Sequence, residues 1–211
     1  MKKAVSVILS IISALTILTG SIAVPILARP FYYAHIRPLG LTQYGLSESE
    51  IKAAFNDVMN FCLGLSDRFS AGKLPFSEAG AAHFADVRGM FIADLAVFVL
   101  CLAIILGLKA IKYKPHRFLN RSPAFWGAVG LIAFAVIVVI SVAIDFNSVF
   151  MLFHRLFFPG KTNWVFYSNV DPIILYLPEA FFRNCAILIF SLMAIISAII
   201  IVYDIEKVKT A

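Results

Sequence analysis

The run FIADLAVFVLCLAIILGL at residues 91–108 is followed by KAIKYKPHRFLNRS at 109–122 and then by PAFWGAVGLIAFAVIVVISVAI at 123–144. Each apolar run is close to the roughly 20 helical residues that cross a hydrocarbon core of about 30 Å. The basic link between them is too short to hold a domain, so the pair reads as an antiparallel membrane hairpin. Two further runs, residues 4–27 and 181–203, bring the expected spans to four. The pattern predicts an all-α integral membrane protein. Its expected form is a four-transmembrane-helix bundle, one membrane domain over residues 1–211, with an extracytoplasmic cap of short helices and loops from 28–90 and 145–180. The first run follows Lys2 and Lys3, as a signal peptide would. It is longer than the roughly 7–15 apolar residues of a cleaved leader, and Ser21 stands where a lipobox requires Cys, so it reads as an uncleaved span.

Composition agrees. Of the 211 residues, 61% are hydrophobic and 14% charged, and the mean hydropathy is +0.91. A soluble domain has about 45–50% apolar and about 25% charged residues. A cytosolic enzyme, a disordered tail and a secreted disulfide scaffold are excluded. Three cysteines without a C-x-x-C pair indicate neither a disulfide framework nor a zinc site.

The formal charge of +6 is explained by where the basic residues lie. Lys2, Lys3, Lys109, Lys112, Lys114, Arg117, Arg121, Lys207 and Lys209 occupy the N-terminus, the hairpin link and the C-terminus. These segments hold nine of the eighteen basic residues and two of the twelve acids, Asp204 and Glu206. The positive-inside rule therefore places both termini in the cytoplasm. No nucleic-acid partner is needed to account for the surplus.

The two remaining segments are expected outside. Ser47-Glu48-Ser49-Glu50 is an S-x-x-E capping box. Ile51, Phe55, Val58, Met59 and Cys62 follow it on one helical face, which packs on the bundle or lies on lipid. Residues 67–78 read as a loop, with helix resuming near Ala79. The second segment is rich in aromatic side chains and is broken by Pro159-Gly160 and Pro172. Most of its rings fit an interfacial aromatic belt.

Connectivity sorts the four histidines. His116 lies in the basic link, and His35 follows the first span in an interfacial setting. His83 precedes the second span by eight residues, and His154 follows the third by ten. Antiparallel neighbours bring those two ends together, so both imidazoles reach one level on the outer side; two unrelated interfacial histidines are the bland alternative. Asp86 lies i+3 from His83 and could fix its tautomer. Asp94 and Asp145 are either functional intramembrane acids or tethers to Arg88, Arg155 or Arg183. Glu179 suits a helix N-terminus. No G-x-S-x-G, H-E-x-x-H, Walker or G-x-G-x-x-G motif is present. A zinc site would need a carboxylate as third ligand, so imidazole acid–base chemistry without a metal or a protein nucleophile is the expectation.

The residues resemble a bacterial membrane-protein family. The resemblance rests on 82–88 (AHFADVR) before the second span and 153–158 (FHRLFF) after the third. Asn163-Trp164, Asp171-Pro172-Ile173-Ile174 and 177–182 (LPEAFF) complete it. The family is that of the lipoprotein intramolecular transacylases, and the resemblance covers essentially the whole chain. It implies a bacterial cell-membrane enzyme with its active site at the extracytoplasmic face. The implied substrate is a diacylglyceryl lipoprotein, whose sn-2 acyl chain moves to the amino group of the N-terminal cysteine, giving the lyso form. His83 and His154 match the family's catalytic histidines, and Asp86, Arg88, Phe158, Trp164 and Glu179 match positions implied in substrate binding. Membrane lipids are implied partners, and no cofactor is implied. Phe84, Arg88 and Tyr167-Ser168 depart from the commoner family residues, which bears on substrate preference. Two other functions fit the residues: a non-enzymatic accessory protein binding lipid or a partner through its aromatic cap, and an acyltransferase using a separate lipid donor.

Overall fold

A computed structural model describes residues 2–210. It contains eight α-helices: α1 (Lys2–Leu27), α2 (Arg29–Tyr33), α3 (Glu48–Cys62), α4 (Glu78–Ala110), α5 (Pro123–Ile144), α6 (Phe146–Phe157), α7 (Ile173–Tyr176) and α8 (Glu179–Lys209). No β-strand occurs among the described residues. Helices α1, α4, α5 and α8 are long and apolar enough to cross a membrane, and they contain the four expected spans. The chain is thus an all-α integral membrane protein.

Two compact units divide the chain: Met1–Val24, Asp94–Ile144 and Ile187–Ala211 in the first, Pro25–Ala93 and Asp145–Ala186 in the second. In the first unit Ile17 of α1, Ala128, Leu131 and Ala135 of α5, and Met193 of α8 form a core. Gly127 lets α5 approach α1 closely, because a Cβ there would collide with the Ser10 carbonyl oxygen. Small residues at such crossings are the usual means of packing helices where no hydrophobic force separates protein from lipid. The 109–122 link is tied down by Asp204, which accepts from Arg117 (3.0 Å) and the Ser122 amide (3.2 Å) and lies 3.6 Å from Arg121.

The second unit is built around α3. Its capping box is formed in full: the Ser47 hydroxyl accepts from the Glu50 amide, and the Glu50 carboxylate accepts from the Ser47 amide. The predicted apolar face, Ile51, Phe55, Val58, Met59 and Cys62, is buried, so this helix packs within the unit. Tyr32 of α2 stacks on Phe55 at 3.8 Å, and its hydroxyl donates to the Tyr176 carbonyl of α7 at 2.8 Å.

Two features differ from the sequence expectation. The helix near Ala79 and the span at 91–108 are one continuous 33-residue α4, about 50 Å long. Residues 146–157, read only as short aromatic pieces, form the amphipathic α6. Asp145 is its N-cap and, of the two readings, does not take the ion-pair one among the described residues, its carboxylate accepting from the Ser148 amide (3.0 Å) and hydroxyl (2.5 Å). A residue with three possible arginine partners satisfies the nearest orphan amide instead.

Candidate active site

The second unit brings His83 and His154 together. Ser77 caps α4, its hydroxyl accepting from the Gly80 amide at 2.9 Å, and the next turn carries His83. His154 lies near the C-terminal end of α6, whose last turn is closed by the Phe158 amide donating to the His154 carbonyl. Their ring centroids lie 5.9 Å apart with 32° between the planes, and the residues are only 6% and 8% exposed.

Aromatic rings enclose the pair. Phe158 lies 5.0 Å from His83 and 5.7 Å from His154. Phe166 faces His83 at 5.5 Å, and Trp164 faces His154 at 4.8 Å. Phe150 completes the wall 4.3 Å from His154. Phe158 and Trp164 were expected at the site. Phe150 and Phe166 were indistinguishable, in sequence, from a lipid-facing belt.

The two imidazoles differ in their hydrogen bonds. His154 Nδ1 lies 2.7 Å from the Phe150 carbonyl oxygen. A carbonyl only accepts, so Nδ1 carries the proton and the neutral ring keeps its lone pair on Nε2. Burial holds the His154 pKa below the usual imidazole value, against the opposing pull of the Phe150 carbonyl. His83 Nδ1 is buried without a hydrogen-bond partner. Among buried polar atoms such orphans are uncommon, and a catalytic role is one of the standard reasons for them.

Asp86 does not take up that nitrogen. Its carboxylate accepts from Lys161 Nζ at 2.5 Å and from Asn163 Nδ2 at 3.2 Å. A cation outcompetes a neutral imidazole for a carboxylate, so Asp86 secures the 158–171 loop that carries Trp164 and Phe166. Lys161 carries no motif signal in the sequence. The other end of the loop is held by Asp171, which accepts from the Ser77 amide (2.7 Å) and hydroxyl (2.8 Å). Arg88 donates to the Ser66 carbonyl at 3.1 Å, with its guanidinium over Phe61. Glu179 is exposed in the first turn of α8. Asp94 has a buried carboxylate oxygen without a hydrogen-bond partner and forms no ion pair among the described residues. No group of three His, Cys, Asp or Glu side chains converges among those residues.

A multi-pass membrane protein with two histidines packed together among aromatic rings is the class this fold and site define. The chain belongs to a family within that class: the family model for the lipoprotein intramolecular transacylase Lit matches residues 7–182. The crystallised membrane-integral Lit from Bacillus cereus superposes with a TM-score of 0.87 at 25% identity, covering 100% of this chain and 99% of that one. Two variants of the Bacillus cereus protein, with a histidine changed to arginine or to alanine, each give 0.79 at 25% identity. They cover 100% of this chain and 94% and 96% of theirs, respectively. Comparison with curated proteins finds no match.

Proposed function

We propose that this transacylase-family protein moves the sn-2 acyl chain of a diacylglyceryl lipoprotein to the α-amino group of its N-terminal cysteine, using His83 and His154 to move the protons. The observation that carries this reading is the 5.9 Å imidazole pair packed among aromatic rings. An α-amino group has a pKa of about 7.7–8.0 and must lose a proton before it attacks. His154, with its lone pair on Nε2, suits the base. The amine nitrogen bonds to the sn-2 ester carbonyl, giving a tetrahedral oxyanion. Collapse breaks the bond to the glyceryl oxygen, which takes a proton delivered by an imidazole. The net change is one ester exchanged for one amide, with the amine proton ending on the glyceryl oxygen. No water, cofactor or enzyme-bound acyl group enters this balance.

Phe158 and Trp164 supply apolar walls for the acyl chain, and Asp86 acts through the loop it secures. Arg88 and Glu179 keep the substrate-binding role that the family resemblance implies, Arg88 from the turn after α3 and Glu179 from the start of α8. Because donor and acceptor share one molecule, orientation alone is worth a great deal: well-aligned intramolecular reactions reach effective molarities of about 10⁵–10⁸ M. The charge distribution supports an orientation with both termini cytoplasmic and the segments 28–90 and 145–180 outside.

Tandem mass spectrometry of a diacylglyceryl lipopeptide treated with the purified protein tests the reaction. The acyl chain is expected on the cysteine nitrogen with a free glyceryl hydroxyl. An unchanged diacylglyceryl product contradicts the proposal.

Two further results are expected. A buried His154 with a lowered pKa remains a base at acidities that would protonate a free imidazole. The acid limb of the pH–rate profile therefore lies below about 6.5, the ordinary histidine value; a limb at or above it contradicts a depressed base. Asp86→Asn and Lys161→Met each slow turnover by less than about ten-fold, since they loosen a loop and leave both imidazoles in place. The double variant is no slower than the worse single, because both break one contact. Additive losses in the kinetics would separate the two residues.

A further inference from the structure

We propose that Arg29, held by two asparagines of the second unit, binds the phosphate of a phospholipid headgroup. Its guanidinium donates from Nη1 to Asn56 Oδ1 at 3.0 Å and from Nη2 to Asn60 Oδ1 at 2.7 Å. Both partners are neutral amides one turn apart on α3, so they fix the guanidinium without cancelling its charge. The acids of α3 are engaged elsewhere. Glu48 pairs with Arg37 and Lys52, Glu50 with Lys73, and Asp57 accepts from the Ser70 hydroxyl and the Gly72 amide. Charges withdrawn from water are normally paired. Arg29 is half-buried and forms no ion pair among the described residues.

The amide orientations follow from the same bonds. A guanidinium only donates, so each Oδ1 faces it and each NH2 is left for another acceptor. Asn56 Oδ1 also accepts from the Tyr33 hydroxyl at 2.5 Å. Arg29 Nε and the Nδ2 atoms of both asparagines have no partner among the described residues, and none of the three is enclosed. A positive charge with free N–H donors, and with both amide oxygens turned to the guanidinium, suits an oxyanion. Depth selects its source. Arg29 stands two residues beyond Leu27, where α1 and the first apolar run both end. A residue just past the end of a span lies at headgroup depth. Leu27 is 56% exposed, and Leu65, whose amide donates to the Asn60 carbonyl, is 71% exposed. Such aliphatic surface suits the glycerol and upper acyl carbons that accompany a lipid phosphate. The diacylglyceryl substrate of the proposed reaction carries no phosphate, so the ligand is a phospholipid of the surrounding bilayer. One basic residue at such a surface favours an anionic over a zwitterionic headgroup by about five-fold.

The test uses the full chain in phosphatidylcholine nanodiscs with a trace of photoactivatable phosphatidylglycerol or phosphatidylcholine, the diazirine placed close to the phosphate. Peptide mapping by mass spectrometry should find adducts on residues 27–33 and 56–65, about five-fold more with the phosphatidylglycerol probe. Asn60→Asp keeps an oxygen on Arg29 Nη2, and so the brace, while supplying the missing counter-charge. It should bring the ratio of the two probes close to one without lowering the melting temperature. Arg29→Gln, which carries no charge, should also bring the ratio close to one. Equal labelling of these peptides by the two probes in the unsubstituted chain overturns the proposal, as does a preference that survives both substitutions. Loss of the adducts to excess inorganic phosphate, but not to chloride at the same ionic strength, would make the ligand a soluble anion and overturn the phospholipid assignment.

Discussion

On the proposed mechanism, His83→Ala and His154→Ala should each abolish formation of the lyso product while the protein still inserts and folds. Positioned general acid–base catalysis contributes about 10²–10⁴-fold per group, so each loss should be at least about 100-fold. The double variant should be little worse than either single, because two groups serving one proton transfer fail together. Folding should survive, since His83 Nδ1 has no hydrogen bond to lose, His154→Ala gives up only the one to the Phe150 carbonyl, and the aromatic rings around the pair remain. His35→Ala is the control. His35 resembles His154 locally, with Nδ1 2.6 Å from the carbonyl four residues earlier and phenyl rings against it. Phe31 and Phe181 lie against that ring. It has no second imidazole beside it, and turnover by His35→Ala should match the parent. Normal lyso-product yield from His83→Ala or His154→Ala would remove that residue from catalysis.

Gly80→Ala gives the second large effect, on stability and activity together. A Cβ at Gly80 would lie 2.5 Å from Asp171 Oδ1 and 3.1 Å from the Phe166 ring. Asp171 cannot swing aside without giving up the Ser77 amide and hydroxyl, and Phe166 cannot without leaving His83. Overpacking costs about 1–3 kcal/mol, and a weakened hydrogen bond to a charged group adds to it. A total near 2–4 kcal/mol corresponds to a melting temperature lower by about 5–15 °C for a chain of this size. Turnover should fall at least about ten-fold, because the ring opposite His83 is displaced. Gly89→Ala on the same helix meets nothing within 4 Å and should leave the melting temperature unchanged or raise it. Equal thermal stability of the Gly80 and Gly89 variants would show that the loop is not held as described.

Much of this architecture is legible in the sequence because it rests on local rules. Span length, the placement of basic residues and the Ser47 capping box each need only a short window. The hairpin reading expects His83 and His154 at one level, and the two rings do lie 5.9 Å apart. What was not legible depends on competition between partners. Spacing put Asp86 within reach of His83, yet Lys161, seventy-five residues away in the chain, takes its carboxylate. Asp145 had arginines to choose from and capped α6. Phe150 and Phe166 look like any interfacial ring until the fold aims them. Gly80 carries no signal of its own, because its role is to leave room for Asp171.

Acyl transfer within one molecule, between groups held at the two imidazoles, is tested most directly by mixing two lipopeptides. One carries a deuterated sn-2 chain and a light peptide, the other an ordinary chain and a heavy peptide. After incubation with the purified protein, mass spectrometry should find only the two parental pairings of chain and peptide among the N-acyl products. Scrambled pairings would show transfer between molecules and contradict the account.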